Sequence, residues 1–410
     1  MSAPQNIVVV GGGLAGGKAV EALRAAGFTG SLTLVGDEAH LPYERPPLSK
    51  GYLAGKSAFE DAVVHPREWY DEQHIDLRLH CHATALDLGA HEVTLGDGSR
   101  LPYDKLLLAT GALPRRLDLP GADAANVHYL RTREDSDAIR SIFGPGRRIA
   151  IIGGGWIGLE VAAAARDAGT DVTLVEMADL PLLGVLGPEL AQVFADLHRE
   201  HGVDLRLGAT LEEITVDDNG AATGVRLGDG DTVPAVAVVV GVGILPNVAL
   251  AGAAGLTLNN GVEVDAALRS SDPDVYAVGD IANHDHPVLG TRVRVEHWAT
   301  ALNQPVTAAR AMLGEDVQYT NLPYFFSDQY DLGMEYVGYA PRGSYEQVVV
   351  RGDLGSREFV AFWLDGESRI KAAMNVNVWD VPDAVKPLIA EGRTVDPARL
   401  SDPAVAFADL

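Results

Sequence analysis

The chain has 410 residues, of which 32 are Lys or Arg and 57 are Asp or Glu, so its formal net charge is −25. Because 47% of the residues are hydrophobic, the length predicts about two or three domains with apolar cores and argues against disorder. The single cysteine excludes a disulfide framework, a Cys-x-x-Cys redox pair and a cysteine-ligated iron–sulfur cluster, and the acidity makes nucleic acid and anionic membranes poor partners.

Membrane and export signals are also missing from the sequence. No apolar run approaches the roughly 18 residues that are needed to span a bilayer. Residues 1–6 lack a basic stretch followed by an apolar one, so no secretory signal is predicted. We therefore expect a cytoplasmic protein that does not associate with membranes.

The first predicted elements form a strand–turn–helix–strand unit around a glycine-rich turn. They are a strand at Asn6–Val10, the turn Gly11-Gly12-Gly13-Leu14-Ala15-Gly16, a helix at Gly17–Ala26 and a strand at Ser31–Val35. A GxGxxG turn at the start of a helix binds a dinucleotide pyrophosphate, because its glycines allow close approach of the backbone and the helix N-terminus supplies N–H groups. Asp37, supported by Glu38, is the predicted ribose partner, although Gly36 occupies the position directly after the strand.

After a short strand at Lys105–Leu108, which ends in Ala109-Thr110-Gly111-Ala112, the same unit occurs again. Its elements are a strand at Arg148–Ile152, the turn Gly153-Gly154-Gly155-Trp156-Ile157-Gly158, a helix at Leu159–Ala168 and a strand at Asp171–Val175. Glu176 follows that strand, where a carboxylate binds ribose hydroxyls and repels a 2′-phosphate, so this site is predicted to prefer NADH over NADPH. Two such folds indicate an oxidoreductase that moves a hydride from a nicotinamide to a flavin, but the spacing leaves open which fold binds which ligand.

Two further strands end in small turns, and the character of the sequence changes after residue 320. The strands are Val236–Val240, before the turn at residues 241–246, and Val275–Val278, before Gly279-Asp280. Beyond residue 320, an aromatic cluster at Tyr324-Phe325-Phe326 and strand-like stretches at Gln347–Arg351 and Phe359–Leu364 indicate a third, α+β domain.

The segment Leu41-Pro42-Tyr43-Glu44-Arg45-Pro46-Pro47-Leu48-Ser49-Lys50 resembles a signature of the flavoprotein reductases that reduce ferredoxins for bacterial oxygenases. That family also shows GGGxAG, ATGA, GGGxIGLE, a GD near residue 280 and xFFSDQYD, all of which occur here in order. The resemblance implies a glutathione-reductase-like α/β fold with two doubly wound dinucleotide-binding domains and an α+β C-terminal domain. The implied boundaries are 1–113 and 248–321 for a discontinuous FAD-binding domain, 114–247 for an NAD-binding domain and 322–410 for a C-terminal interface domain.

The resemblance also implies the residues that contact each cofactor. Arg45 is expected to face a FAD phosphate, Lys50 the isoalloxazine and Trp298 the flavin edge. The implied FAD contacts are Gly11, Gly13, Ala15, Gly16, Asp37, Arg45, Lys50, Ala83, Ala109, Thr110, Gly111, Arg131, Gly279, Asp280 and Trp298. The implied NADH contacts are Gly153, Gly155, Ile157, Gly158, Glu176 and Gly243.

Lys50 and Glu160, the glutamate of the GLE motif, are the predicted catalytic pair, because the two lie together beside the flavin in the family that the chain resembles. A partly buried lysine stays charged beside a carboxylate, and its charge then favours electron density arriving at flavin N5. The alternative is that Lys50 is a lysine at the start of a helix and Glu160 an ordinary helix residue.

Two histidine and cysteine features are given structural interpretations. His297 is predicted to pack rather than to act as an acid, because hydride transfer to FAD needs no protein proton donor at that step. Cys81, in His80-Cys81-His82, is predicted to lie on a strand whose alternation turns it away from its neighbours, so no metal site is predicted. With no cysteine beside the flavin, the electrons require an external acceptor.

The chain departs from the family pattern at two places. No arginine follows Glu176 in the run from Met177 to Gly184, so we expect weaker NADH binding or a substitute residue. Tyr324-Phe325-Phe326 also stands where the best-known relatives carry tryptophan at two positions, which keeps only the aromatic character.

The predicted function is that of an NADH:ferredoxin oxidoreductase, in which FAD passes electrons from NADH to an iron–sulfur ferredoxin that serves a haem monooxygenase or a ring-hydroxylating dioxygenase. The alternatives are the same fold with rubredoxin, monodehydroascorbate or a quinone as acceptor, or a flavoprotein that senses NADH. Because ferredoxins are usually acidic too, docking requires either an apolar contact or a local basic patch. The candidates for that patch are Arg45, Arg292, Arg294, Arg310 and Arg342.

Overall fold

The computed structural model describes residues 4–410, which divide into two compact units. Unit 1 contains the chain up to Arg45, Phe59–Leu113 and Leu245–Tyr324. Unit 2 contains Pro46–Ala58, Pro114–Ile244 and Phe325–Leu410. The predicted FAD-binding segments thus fall mostly in unit 1, whereas residues 46–58 group with the predicted NAD-binding and C-terminal segments. The division into three domains stays a prediction.

Unit 1 is built on a parallel sheet whose strands are the apolar runs of the sequence. Val9 and Leu107 are wholly buried, as expected for parallel strands that are covered on both faces. Across the sheet, the strands are Val275–Ala277, Lys105–Leu108, Asn6–Val10, Ser31–Val35 and Ile75–Arg78. Two smaller sheets comprise Ala83–Asp87, Glu92–Leu95 and Arg100–Pro102, and Val262–Val264, Ala282–His286 and Thr291–Val293. The α-helices are Leu14–Ala25, Arg67–Glu72, Ala249–Ala253 and Trp298–Met312, with 3₁₀ turns at Glu60–Ala62 and Gly279–Ile281.

Unit 2 contains a second parallel sheet and the C-terminal sheet. The parallel strands, in order, are Asp204–Leu207, Asp171–Glu176, Arg148–Ile152, Ala237–Val240 and Val127–Tyr129, and a smaller sheet comprises Leu211–Val216, Ala222–Leu227 and Thr232–Pro234. The C-terminal sheet has the order Tyr324–Gln329, Leu332–Gly338, Ile370–Val376, Glu358–Leu364 and Gln347–Asp353. The α-helices are Arg133–Ser141, Trp156–Asp167, Leu183–Leu186, Pro188–Glu200, Val381–Glu391 and Pro397–Ser401, with 3₁₀ turns at Pro46–Ser49 and Phe407–Asp409.

Short strands at Ala112–Pro114 and Ile244–Pro246 stand where the chain passes from one unit to the other. None of the helices described between residues 4 and 410 has the length and hydropathy to cross a membrane.

The second dinucleotide fold and the C-terminal sheet share one hydrophobic core. Ile151, Leu159 and Phe194 of the dinucleotide fold belong to the same continuous cluster as Phe359 and Trp363 of the C-terminal sheet. All five side chains have 0% solvent exposure. The shared core explains why these two parts of the chain form a single unit.

The two glycine-turn units have the same strand register. Val10 lies beside Val35 in the first sheet, and Ile152 lies beside Val175 in the second. Gly36 therefore takes the place that Glu176 has in the second unit, as the sequence repeat indicates. Both helices begin three residues before the predicted position, because the last three residues of each GxGxxG already form the first helical turn.

The prediction that Cys81 lies on a strand is wrong. The neighbouring strands end at Arg78 and begin at Ala83, and His80 between them has a φ of 50°, so the backbone leaves the extended conformation. The N–H of Cys81 instead donates to the carbonyl of Gly36 at 2.9 Å. Strand alternation therefore gives no information about this cysteine. Within residues 4–410, no group of His, Cys, Asp and Glu side chains has an arrangement that could hold a metal ion.

Candidate functional site

The first glycine turn leaves space where a pyrophosphate would approach. A Cβ atom at Gly11 would lie 2.1 Å from the carbonyl oxygen of Ala109, and one at Gly16 would lie 1.9 Å from that of Gly11. These glycines are required by the protein's own backbone, and Gly11 has a φ of +126° that disfavours other residues. A Cβ at Gly13 would meet no atom within 4 Å. The turn therefore fits a dinucleotide, with Gly13 on the open side.

Other predicted FAD contacts gather at the same turn of unit 1. A Cβ at Gly279 would lie 3.3 Å from that of Ala15, and the N–H of Gly279 donates to Gln304. Thr110 and Gly111 follow Ala109, and both hydrogen-bond the backbone of Asn247, at 2.8 and 2.9 Å. Ala83, by contrast, begins a strand of the antiparallel sheet, where it pairs with Leu95.

Arg45 is held by a carboxylate that sequence reasoning assigned only a supporting role. Its guanidinium lies 2.6 Å from Glu38 and 2.8 Å from the hydroxyl of Tyr43, which itself donates to Glu38 at 2.5 Å. The pKa of Arg45 lies above its usual value. Burial acts to lower this pKa, but interactions with Tyr43, Glu38 and Asp280 outweigh the effect of burial. Arg45 therefore stays cationic and is electrostatically linked to Asp280.

Asp37, the predicted ribose partner of the first fold, has a largely exposed side chain. Its carboxylate lies 3.2 Å from Nδ1 of His82, and its side chain is 76% exposed. Gly36 lets Gly12 pack closely, since a Cβ at Gly12 would lie 2.8 Å from the Cα of Gly36. The second fold has a carboxylate directly after its strand. In the first fold, Gly36 at that position instead packs against the backbone of Gly12.

The helix that begins at Trp298 carries the remaining FAD contact of unit 1. Burial raises the pKa of the Glu44 carboxyl group, because it outweighs the opposing effects of the neighbouring Trp298 side chain and Lys18. His297 precedes the helix, and burial, only partly opposed by Asp280, lowers its pKa to about 4. His297 is thus neutral at physiological pH, which is compatible with the packing role predicted for it.

The second glycine turn, in unit 2, repeats the geometry of the first. A Cβ at Gly153 would lie 2.4 Å from the carbonyl oxygen of Gly241, and one at Gly158 would lie 2.0 Å from that of Gly153. A Cβ at Gly155 would meet no atom within 4 Å. Ile157 is 42% exposed on the first helical turn, and Gly243, also open, follows the neighbouring strand. This turn likewise fits a dinucleotide.

The Glu176 carboxylate is fixed against the second turn by two backbone N–H groups. Gly154 donates to one oxygen at 2.6 Å, and Ala178 donates to the other at 2.8 Å. The remaining lone pairs of both oxygens are available to ribose hydroxyls. Arg206 on the neighbouring strand does not substitute for the missing arginine, because its guanidinium is paired with Asp204 and Asp231 at 3.0 and 2.9 Å.

Lys50 and Glu160 form the predicted ion pair. The Lys50 ammonium lies 2.8 Å from Oε1 of Glu160, and the two side chains are 15% and 2% exposed. The ammonium also lies 5.3 Å above the centre of the Phe326 ring, which is a cation–π distance. Arg131, the other predicted FAD contact in unit 2, precedes the helix Arg133–Ser141, and its N–H donates to Asp135.

Two serines that the sequence analysis did not single out complete the surroundings of Glu160. The hydroxyl of Ser49 donates to Oε2 at 2.5 Å, and that of Ser327 donates to Oε1 at 2.7 Å. Both serines are buried. In the sequence, only their positions point to a role at this site: Ser49 directly precedes Lys50, and Ser327 lies in the FFSDQ segment.

The arginines proposed as a docking patch are mostly neutralised by neighbours. Arg294 is 9% exposed and lies 2.6 Å from Glu296, and Arg310 pairs with Glu315 at 2.7 Å. Arg292 donates to the carbonyl groups of Val264 and Asn283, and Arg45 pairs with Glu38 as described. Arg342 is exposed. Four of these five arginines thus have acidic or carbonyl partners, and the docking patch stays a prediction.

Comparison with known proteins identifies the relatives of the chain. A family model described as pyridine nucleotide-disulphide oxidoreductase matches residues 5–304, and one described as reductase C-terminal matches residues 324–410. The ferredoxin reductase subunit of 5,5′-dehydrodivanillate O-demethylase from a Sphingobium species is 42% identical over 97% of this chain and 96% of its own. The ferredoxin–NAD(+) reductase component of the anthranilate 1,2-dioxygenase system of Burkholderia cepacia is 43% identical over 98% of both chains.

A solved structure gives the same answer for the fold. The crystal structure of the covalent putidaredoxin reductase–putidaredoxin complex contains a chain that is 38% identical, with a TM-score of 0.95, over 100% of this chain and 98% of that one. The predicted fold class, glutathione-reductase-like α/β, is confirmed, as is the predicted resemblance.

Substitutions at the glycines that face open space should affect dinucleotide binding much more than folding. We expect Gly13→Ala to lower FAD retention and Gly155→Ala to lower NADH affinity with FAD retained, because each new methyl group occupies space needed by a pyrophosphate. Unfolding free energies should fall by no more than about 1 kcal/mol, because both glycines are helix N-caps, where alanine is the poorer residue. Flavin absorbance and NADH titration measure the two effects. Gly16→Ala is the contrasting control, because its Cβ would clash with Gly11 and should destabilise unit 1. A Gly13→Ala protein that retains all its FAD would contradict the assignment.

Glu176 should control the choice of coenzyme. Glu176→Ala removes a charged hydrogen-bond acceptor, and we expect the KM for NADH to rise roughly tenfold or more, since such bonds contribute about 1.5–3 kcal/mol. Use of NADPH relative to NADH should increase, because the repulsion of the 2′-phosphate is lost. Steady-state kinetics with both coenzymes measures this, and Glu189→Ala, at an exposed glutamate in the same unit, is the charge-matched control. An unchanged preference for NADH would count against the role of Glu176.

Proposed function

Because the chain belongs to the pyridine nucleotide-disulphide oxidoreductase family, we propose that it is an NADH-dependent reductase that uses FAD to pass electrons to an iron–sulfur ferredoxin. The observation that carries this proposal is the pair of glycine turns, each with its middle glycine facing open space. Two such turns provide for two dinucleotides in one chain. The relatives named as ferredoxin reductase components of oxygenase systems support a ferredoxin that serves a haem monooxygenase or a ring-hydroxylating dioxygenase.

An external acceptor is supported by the position of the only cysteine. Cys81 lies in the loop after the strand Ile75–Arg78, with its N–H bonded to Gly36. Family members that reduce disulfides need a cysteine pair, which this chain lacks. We further propose that the protein acts in the cytoplasm, where NADH is available as the donor.

The proposed roles of the chain's own residues follow from the geometry. When bound, FAD supplies the chemistry that converts a two-electron donor into single electrons for the acceptor. The two glycine turns and the helix N-termini after them hold the pyrophosphates, and neither helix carries an acidic residue in its first turn that would repel them. Glu176 orients the ribose of NADH. Arg45 contributes a permanent positive charge for the FAD phosphates.

Lys50 is proposed to act electrostatically rather than as an acid. Its ammonium, held by Glu160 and largely shielded from water, places a fixed positive charge that stabilises the additional electron density of reduced flavin. A fixed charge in a poorly solvated site requires little reorganisation during transfer.

The acceptor can be identified by rapid mixing. The flavin is first reduced with NADH under anaerobic conditions and then mixed with an oxygenase-system ferredoxin, rubredoxin, monodehydroascorbate radical or a quinone. We expect fast reoxidation by the ferredoxin, followed through flavin absorbance. Fast reoxidation by one of the other acceptors alone would establish the corresponding alternative. Slow reoxidation by all of them would indicate a sensor of NADH.

The Lys50 charge has a testable effect on flavin reduction. We expect Lys50→Met to slow reduction by NADH about tenfold, which corresponds to the loss of about 1.4 kcal/mol of transition-state stabilisation, while FAD content stays the same. Stopped-flow absorbance measures the rate. Lys56→Met is the matched control, because Lys56 lies in the same segment but is 66% exposed and paired with Asp167. Equal rates for the two variants would rule out the proposed role of Lys50.

A further inference from the structure

Glu160 is one end of a buried chain of hydrogen bonds that extends well beyond its ion pair. It is 3% exposed and accepts hydrogen bonds from Lys50, Ser49 and Ser327. These donors come from two separate parts of unit 2: Ser49 and Lys50 lie in the segment Pro46–Ala58, and Ser327 lies on the first strand of the C-terminal sheet. These three donors satisfy both oxygens of the buried carboxylate.

The chain of hydrogen bonds continues from Ser327, on the C-terminal sheet, to a helix of the second dinucleotide fold. The Gln329 amide donates to the Ser327 hydroxyl at 3.1 Å, and the amide oxygen of Gln329 lies 2.9 Å from Nε2 of His198. Ser327, Gln329 and His198 are 0%, 1% and 0% exposed. Water is therefore not an alternative partner for any of these three groups.

The hydrogen bonds of this chain can all be directed toward Glu160. Ser327 has a single hydroxyl proton, which it donates to Oε1 of Glu160. The oxygen of Ser327 then accepts from the Gln329 amide, and the carbonyl oxygen of Gln329 accepts from His198. Donors thus point successively toward the negative charge, an arrangement in which each bond polarises and strengthens the next.

His198 is suited to be the first donor of the chain. Burial lowers its pKa to about 4, so it is neutral at physiological pH and carries one ring proton. Its Nδ1 lies 3.4 Å from the hydroxyl of Tyr330, a possible donor, which favours the proton on Nε2. That tautomer donates to Gln329.

We propose that Ser327 and Gln329 are positioning residues that act through Glu160 to hold the Lys50 ammonium in place beside the bound flavin. The inference rests on the proposed role of Lys50 and assigns part of flavin reduction to the C-terminal sheet. Without Ser327, the carboxylate would lose one of its three donors and its fixed orientation. Lys50 would then be free to follow a rotating partner.

The test is a double-mutant cycle on a property of the bound flavin that requires neither NADH nor ferredoxin. The midpoint potential of FAD is measured by spectroelectrochemistry in the wild type, Ser327→Ala, Lys50→Met and the double variant. We expect Ser327→Ala to shift the potential to a more negative value, in the same direction as Lys50→Met but by less. In the Lys50→Met background, Ser327→Ala should produce no further shift, because its effect passes through Lys50. The rate of flavin reduction by NADH should fall about threefold to tenfold in Ser327→Ala alone.

Two further variants separate positioning from folding. Asn375→Ala removes a side chain that is 1% exposed on another strand of the same sheet, where it donates to Glu335 and Val378. It should lower the unfolding midpoint and leave the flavin potential unchanged. If Ser327→Ala does not fold, Gln329→Met can be used instead. It removes the hydrogen bond to Ser327, which is one step farther from Glu160, and should shift the flavin potential in the same direction by a smaller amount.

The outcomes distinguish this inference from the proposed function. Equal shifts for Ser327→Ala in both backgrounds, or no shift in either, would overturn the positioning role. An unchanged potential in Lys50→Met would overturn the role of Lys50 and the inference with it. A ferredoxin that fails to reoxidise the flavin would overturn only the proposed acceptor, because the potentials are read without it.

Discussion

A carboxylate ion removed from water must be surrounded by donors, and the arrangement of unit 2 follows from that requirement at Glu160. The glutamate lies on the helix that starts at the second glycine turn, so its position is set by the dinucleotide fold. Its donors come from residues 46–58 and from the C-terminal sheet, which are distant in the sequence. Breaking a buried pair by removing one partner typically costs about 3–5 kcal/mol. The ion pair with Lys50 and the hydrogen bond from Ser327 therefore tie these three segments together at Glu160.

The two dinucleotide folds have the same close backbone packing at their glycine turns, but they differ in the residues that follow the second strand. Both use their first and third glycines to bring backbones together and leave the second open. In unit 2 the next strand ends in Glu176, whose oxygens are fixed by Gly154 and Ala178. In unit 1 the equivalent position is Gly36, and the charged residues nearby are organised instead around Glu38, Tyr43 and Arg45. A repeat in the sequence thus supports two sites of different polarity.

Local patterns predicted most of this structure, and long-range contacts account for what they missed. The glycine turns, the parallel strands and the Gly36–Glu176 equivalence follow from spacing and apolar runs, and the Lys50–Glu160 pair came from the family motif. The serines and the Gln329–His198 contact could not be predicted, because they join residues more than 100 positions apart. The hydrogen bonds of Arg292 to the carbonyl groups of residues 264 and 283 were also not predicted, because the sequence does not show which backbone groups a side chain will meet. Cys81 was misplaced because a left-handed residue before it ends the extended backbone.

The shared core of the second dinucleotide fold and the C-terminal sheet has a consequence for how such reductases diverge. Trp363 and Phe359 are packed with Ile151 and Phe194, so neither part retains its core without the other. A C-terminal sheet transplanted from a relative would have to arrive with complementary core residues in the second dinucleotide fold. These two parts of the chain are thus inherited as one block, and productive recombination between relatives should favour crossovers at the borders of unit 2.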